Sequence, residues 1–131
     1  MQPQMDTDRR RLNEISEKII GCAFHVHNIL GCGFLEKVYE NALVLELRKA
    51  GLKIIQQAPI KVYYENETVG DYIADILVEG EIIIEIKAVK YIDEIHEAQL
   101  INYLKATGLK LGLILNFCRP KLEIKRLVNE F

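Results

Sequence analysis

The chain predicts a mixed α/β fold, a mixed sheet flanked by helices. Apolar residues repeat at helical spacing through the first fifty residues, strand-like runs follow up to residue 89, and a further helix and apolar strand come after them. With 131 residues, half of them hydrophobic, there is material for one core, so a single domain over 1–131 is expected.

Leu12, Ile15, Ile19, Cys22, Val26 and Ile29 recur at spacings of three and four, which predicts an amphipathic helix from about 8 to 30, ended by Gly31-Cys32-Gly33. A second helix is expected from about 35 to 50, with Leu35, Val38, Ala42 and Leu45 on one stripe and Gly51 as its stop. Strand-like runs then cover about 53–57, 60–65, 69–78 and 82–89. Asp93 can cap a third helix to about 107, ended by Gly108. Leu111 to Phe117 reads as an apolar strand, and Leu122 to Leu127 as either a strand or a short helix.

Several functional classes are excluded at once. No apolar stretch approaches the roughly 20 residues of a membrane span, and the charged start lacks the apolar core of a signal peptide, so a cytoplasmic protein without a membrane partner is expected. Cys22, Cys32 and Cys118 are odd in number and form no CxxC pair, as suits inert thiols. His25 and His27, two apart on a helix, diverge by about 200° and cannot chelate one ion as an i, i+4 pair would. Structural or exposed roles are expected for both, and a solvated helix face for His96.

The net charge of −2 hides an uneven distribution. Residues 65–97 hold ten acids against Lys87 and Lys90, whereas between 105 and 126 Lys105, Lys110, Arg119, Lys121, Lys125 and Arg126 face only Glu123. An acidic centre beside a basic segment suits a metal site next to a phosphate-binding surface.

Within the acidic centre, residues 72–89 place Asp75, Glu85 and Lys87 inside otherwise apolar strand runs. An ionised side chain buried there costs several kcal/mol unless it is paired, hydrogen-bonded or metal-bound. Two carboxylates and a lysine can satisfy one another, and they are also the set that a hard divalent cation and an activated water need. Alternation puts Glu85 and Lys87 on one face and Ile84, Ile86 and Ala88 on the other. A three-residue Glu79-Gly80-Glu81 loop would set Asp75 opposite Glu85, whereas a two-residue loop would send the carboxylates to opposite faces unless a bulge intervened.

Asp75, then Glu85-Ile86-Lys87, then Gln99-Leu100-Ile101-Asn102-Tyr103 resembles the PD-(D/E)XK nuclease superfamily, including the Q-x3-Y helix of its RecB-like members. Gly33-Phe34-Leu35-Glu36-Lys37-Val38-Tyr39 is similar to the signature of the GxxExxY family, a branch of that superfamily, and the likeness covers nearly the whole chain. Ala74 stands where the superfamily name has proline. The resemblance implies a restriction-endonuclease-like core in which Asp75 and Glu85 bind Mg²⁺ (or Mn²⁺) and Lys87 assists the attacking water. Glu36 could add a third carboxylate from the second helix or serve as an ion pair or cap at the helix start, and Gln99 and Tyr103, at i, i+4, would position a backbone phosphate. Tyr39 reads as core packing with its hydroxyl bonded nearby.

The function these readings predict is metal-assisted hydrolysis of nucleic acid, DNA foremost, with Lys105 to Arg126 offering a path for the strand. The alternative is a catalytically silent module on the same fold that binds nucleic acid or protein. DNA versus RNA, endo- versus exonuclease action and a homodimer stay open at this level.

Overall fold

The computed structural model describes residues 3–129, with side chains from residue 7 onward. Three helices, α1 (Pro3–Leu30), α2 (Glu36–Lys49) and α3 (Glu94–Thr107), accompany five strands, β1 (Ile54–Tyr64), β2 (Glu67–Val78), β3 (Ile82–Lys87), β4 (Leu111–Asn116) and β5 (Glu123–Val128). The sheet runs β1-β2-β3-β4-β5, with only β3 and β4 parallel, and α3 is the crossover between them. One face packs under α1 and α2 through Ile19, Leu43, Ile84 and Leu113, and the other under α3 through Ile83, Leu100, Leu104 and Ile114.

Local chemistry sets the breaks where expected. Gly31 ends α1 at φ 65, with its N–H donating to the His27 carbonyl at 2.8 Å. Asp93 caps α3 by accepting from the N–H groups of Ile95 and His96, and Gly108 closes it at φ 75. His96 completes that cap by accepting the Asp93 N–H at its Nδ1, so its role is structural rather than that of a solvated face.

Three expectations need correction. The buried face of α2 is Tyr39, Glu40, Leu43, Val44 and Leu47, while Leu35 and Leu45, from the stripe read in the sequence, are exposed. This helix is apolar on two sides, and periodicity alone does not choose between them. Ile29 is likewise exposed, because it falls about 100° from the centre of the buried α1 face and His27 takes the inward place. β1 runs unbroken through Pro59, which an edge strand tolerates. Residues 123–128 resolve as a strand.

A kink in the β1–β2 hairpin moves its two halves into different layers. Ile54, Ile76 and Val78 belong to the core under α1 and α2, but Ile60 and Ala74 belong to the core under α3. The faces exchange at Gln57 and Asp75, which are missing from the pairing, and Gln57 adopts φ 56; a second irregularity, a register shift between Val62 and Tyr63, lies nearer the hairpin end. Non-glycine residues seldom enter that left-handed region, so the kink is held by its surroundings.

Candidate active site

β2 and β3 pair Ile76 with Ile84, Leu77 with Ile83 and Val78 with Ile82, so the intervening loop is the three-residue Glu79-Gly80-Glu81. Glu79 and Gly80 turn with φ 53 and 65. That register sets Asp75 against Glu85. Beyond Ile76 the strands part, and the two carboxylates take over the ladder's hydrogen bonds. Glu85 Oε2 accepts the Asp75 N–H at 2.8 Å, and Asp75 Oδ2 accepts the Ile86 N–H at 2.7 Å. Each acid thus braces the other's strand and commits one oxygen to it. Asp75 Oδ1 and Glu85 Oε1 have no hydrogen-bond partner in the described chain and are not sealed from water.

Lys87 lies two residues along β3 from Glu85, half-buried, and its positive field reaches both carboxylates. From α2, Glu36 Oε2 accepts the Ala88 N–H at 3.3 Å, tying the helix start to the end of β3. One turn later comes Glu40, which the sequence reading passed over. It is 4% exposed, and its Oε2 accepts from Gln56 Nε2 at 2.6 Å, Gln57 Nε2 at 2.9 Å and Lys37 Nζ at 3.1 Å. The side chain of the kinked Gln57 is therefore anchored on α2 beside the acids. The i, i+4 pairing of Glu36 with Glu40 was the available sequence signal.

A second overlooked residue is Asn116, fully buried at the end of β4. Its Oδ1 accepts from the N–H of Val89, and its Nδ2 donates to the Val89 carbonyl and to Glu123 Oε1. It thereby fixes the chain leaving Lys87. A lone asparagine at a strand end has no distinctive pattern in sequence. Tyr39 meets its structural expectation: its hydroxyl donates to the Gly31 carbonyl at 2.6 Å, and its ring stacks on Phe117 at 4.7 Å.

Electrostatics mark the carboxylate pair out. Burial, and next the negative field of Asp75, pushes Glu85 up to about 8 from an ordinary 4.5. Asp75 is also raised, first by burial and then by Glu40, against lowering by the Ile86 N–H and Lys87. Tyr103, buried on α3, is raised by burial and then by the fields of Glu85 and Asp75, which places its hydroxyl in reach of the pair's charge. Gln99 stands exposed one turn before it.

The six cations proposed for a strand path do not share a face. Lys125 Nζ meets Glu97 of α3 at 3.6 Å, whereas Arg126 donates to Asn13 and Ser16 of α1, because neighbours on β5 point to opposite sides. Arg119 bonds the Lys90 carbonyl, and Lys105, Lys110 and Lys121 are exposed. His27 Nε2 lies 2.8 Å from the Arg119 carbonyl, an acceptor, so that nitrogen carries the proton and the ring's role is structural. His25 lies exposed 3.8 Å from Glu46.

The donor set fits a hard divalent cation: two oxygens left over, on two carboxyls that burial raises and an opposite charge would relieve. Among the described residues no group of three His, Cys, Asp or Glu is gathered closely enough to hold an ion. An ion held by Asp75 and Glu85 would complete its shell with water or substrate oxygens, as Mg²⁺ does.

Residues 13–127 match the PD-(D/E)XK nuclease superfamily. No curated protein matches the chain. A solved structure described as "Crystal structure of SSO0001" superposes with a TM-score of 0.57 at 17% identity, over 72% of this chain and 50% of that one. The chain spans about half the length of that structure, and the likeness is one of fold. No helix among the described residues is long and apolar enough to cross a membrane.

Proposed function

This chain belongs to the PD-(D/E)XK nuclease superfamily, and from that premise we propose that it hydrolyses phosphodiester bonds of nucleic acid, DNA foremost, using Mg²⁺ or Mn²⁺. The observation that carries the reading is the Asp75–Glu85 pair in the opened ladder, each acid with one oxygen free and both raised by burial, Glu85 also by the charge of Asp75. The signature from Gly33 to Tyr39 supports the GxxExxY branch, since its Glu36 reaches the end of β3 and its Tyr39 hydroxyl closes the loop after α1.

Asp75 and Glu85 would hold the cation. When bound, it supplies a water of lowered pKa and offsets charge developing on the phosphoryl oxygens. Lys87, on the same strand face as Glu85, orients that water and stabilises the same developing charge. Tyr103 and Gln99 hold the scissile phosphate from the α3 side. Glu36 and Glu40 act one layer back: Glu36 pins the Ala88 N–H and Glu40 pins the Gln57 kink, so both steady the fork.

The test separates the roles. Lys87→Ala should keep Mn²⁺ binding, measured by calorimetry, and lose most cleavage of a DNA panel. Asp75→Ala should lose both. If wild type cuts neither DNA nor RNA with Mg²⁺ or Mn²⁺, the nuclease reading fails and a silent binding module on the same fold takes its place.

A further inference from the structure

Between α3 and the outer half of the β1–β2 hairpin lies a groove of about 810 Å³, within the roughly 300–1,000 Å³ usual for ligand sites. Tyr63 and Tyr72 form its hairpin wall, Gln99, Asn102 and Lys105 its helix wall, and Tyr103 joins them. Tyr63 and Tyr72 are 61% and 50% exposed, unusual for rings facing a cleft that nothing in the described chain fills. Tyr72 leans on Tyr103 at 5.8 Å between ring centres, and its ring is seated over Gly70, where a Cβ would stand 3.1 Å from Tyr72 Cε2. Gly70 thus leaves room for the ring at that spot.

The polar lining is equally informative. Neither the Gln99 nor the Asn102 amide makes a hydrogen bond in the described chain, and Lys105 has no ion pair there. No acid lines the groove, although the surrounding segment is strongly acidic. Of the acids on the flanking segments, Asp71 pairs with Lys61 and Glu97 with Lys125, while Glu65, Glu67 and Glu94 stand outside the lining. A lone unpaired cation, two open amides and two exposed rings form a lining with net positive charge. Its inner end is Tyr103, within the field of Asp75 and Glu85.

We infer that this groove takes single-stranded nucleic acid, with bases stacked on Tyr63 and Tyr72, a base edge at Asn102, a phosphate on Lys105, and the backbone leading on to Gln99 and Tyr103. Stacking needs exposed base faces, which a duplex hides and a single strand presents. An amide offers both donor and acceptor, so such a groove tolerates many sequences. The strand would run past Tyr103 to the carboxylates. The choice of ligand rests on the nuclease reading, but the binding geometry does not need the carboxylates to be active.

Binding of labelled oligothymidylate, the matching oligouridylate and a DNA duplex to the full chain in EDTA tests this by fluorescence anisotropy. Wild type should bind a single strand more tightly than the duplex. Tyr63→Ala and Tyr72→Ala should each weaken single-strand binding about tenfold, Tyr72→Phe should restore it, and Arg126→Ala, on the α1 side, should leave it unchanged. The two single strands tell DNA from RNA, and a tyrosine-dependent preference for either supports the groove. Equal binding of duplex and single strands, or folded tyrosine variants that bind like wild type, would overturn it. If those variants bind and cut normally while Asp75→Ala does not cut, the groove falls and the nuclease reading stands. If tyrosine-dependent binding appears without cleavage in Mg²⁺ or Mn²⁺, the reverse holds.

Discussion

Replacing Glu85 by Gln should stabilise the metal-free protein, and only above acidic pH. Glu85 is 5% exposed and raised from 4.5 to about 8, first by burial and next by Asp75. Between those values the folded chain keeps a proton that the unfolded chain has released, so this group lowers stability as pH rises through that window. Its penalty is absent below 4.5, on the order of 3 kcal/mol by pH 7, and about 5 kcal/mol once the carboxyl is fully ionised above 8. Glutamine is neutral throughout, and its carbonyl can still accept the Asp75 N–H that Glu85 Oε2 accepts at 2.8 Å. Urea melts in EDTA at pH 5 and pH 8 give the comparison. The two proteins should agree within about 1 kcal/mol at pH 5, and the variant should be the more stable by about 3 kcal/mol or more at pH 8. Added Mn²⁺ should stabilise wild type and not the variant. A variant that loses several kcal/mol at pH 8 would refute the reasoning, since it would make Glu85 the needed partner of Lys87.

Glu40→Ala would remove the charged acceptor shared by Gln56, Gln57 and Lys37, leaving Gln56 its bond to Asn41 and the other two donors to water; a loss of about 1–3 kcal/mol is expected in thermal or urea melts. Gly112→Ala would set a Cβ 2.8 Å from Leu100 Cδ2, and overpacking of this kind costs about 1–3 kcal/mol. Because Leu100 adjoins Gln99, cleavage assayed where that variant remains folded should fall as well.

The parts of this molecule that depend on neighbours in sequence were readable, and those that depend on distant contacts were not. The Glu79-Gly80-Glu81 loop, the Asp93 cap and the Gly108 stop are local, and so is the parity of Glu85 and Lys87. The apposition of Asp75 and Glu85 followed once the loop length was known. The inward face of α2 was misread because both of its apolar sides satisfy helical spacing, and only packing against Phe117 and the sheet selects Tyr39 and Leu43. Glu40 drew no role from the sequence because its partners, Gln56 and Gln57, come from a strand kink that no pattern announces. The basic run failed as a surface for the opposite reason: it was read as a stretch of charge, while β5 alternates its side chains between two layers.

The lone parallel pairing has a consequence for the order in which this protein assembles. β2 and β3 close over a three-residue loop, whereas β3 meets β4 only after the chain has passed through α3. Short loops close early and crossovers late. Asp75 and Glu85 therefore meet while water still surrounds them, and their repulsion is imposed only when α3 and β4 settle over the hairpin. Charge removal at Glu85 should then leave the refolding rate nearly unchanged and slow unfolding, as for any interaction absent from the transition state. The site's electrostatic tension belongs to the last stage of folding, and a bound cation would act there as a latch that keeps the finished protein from opening.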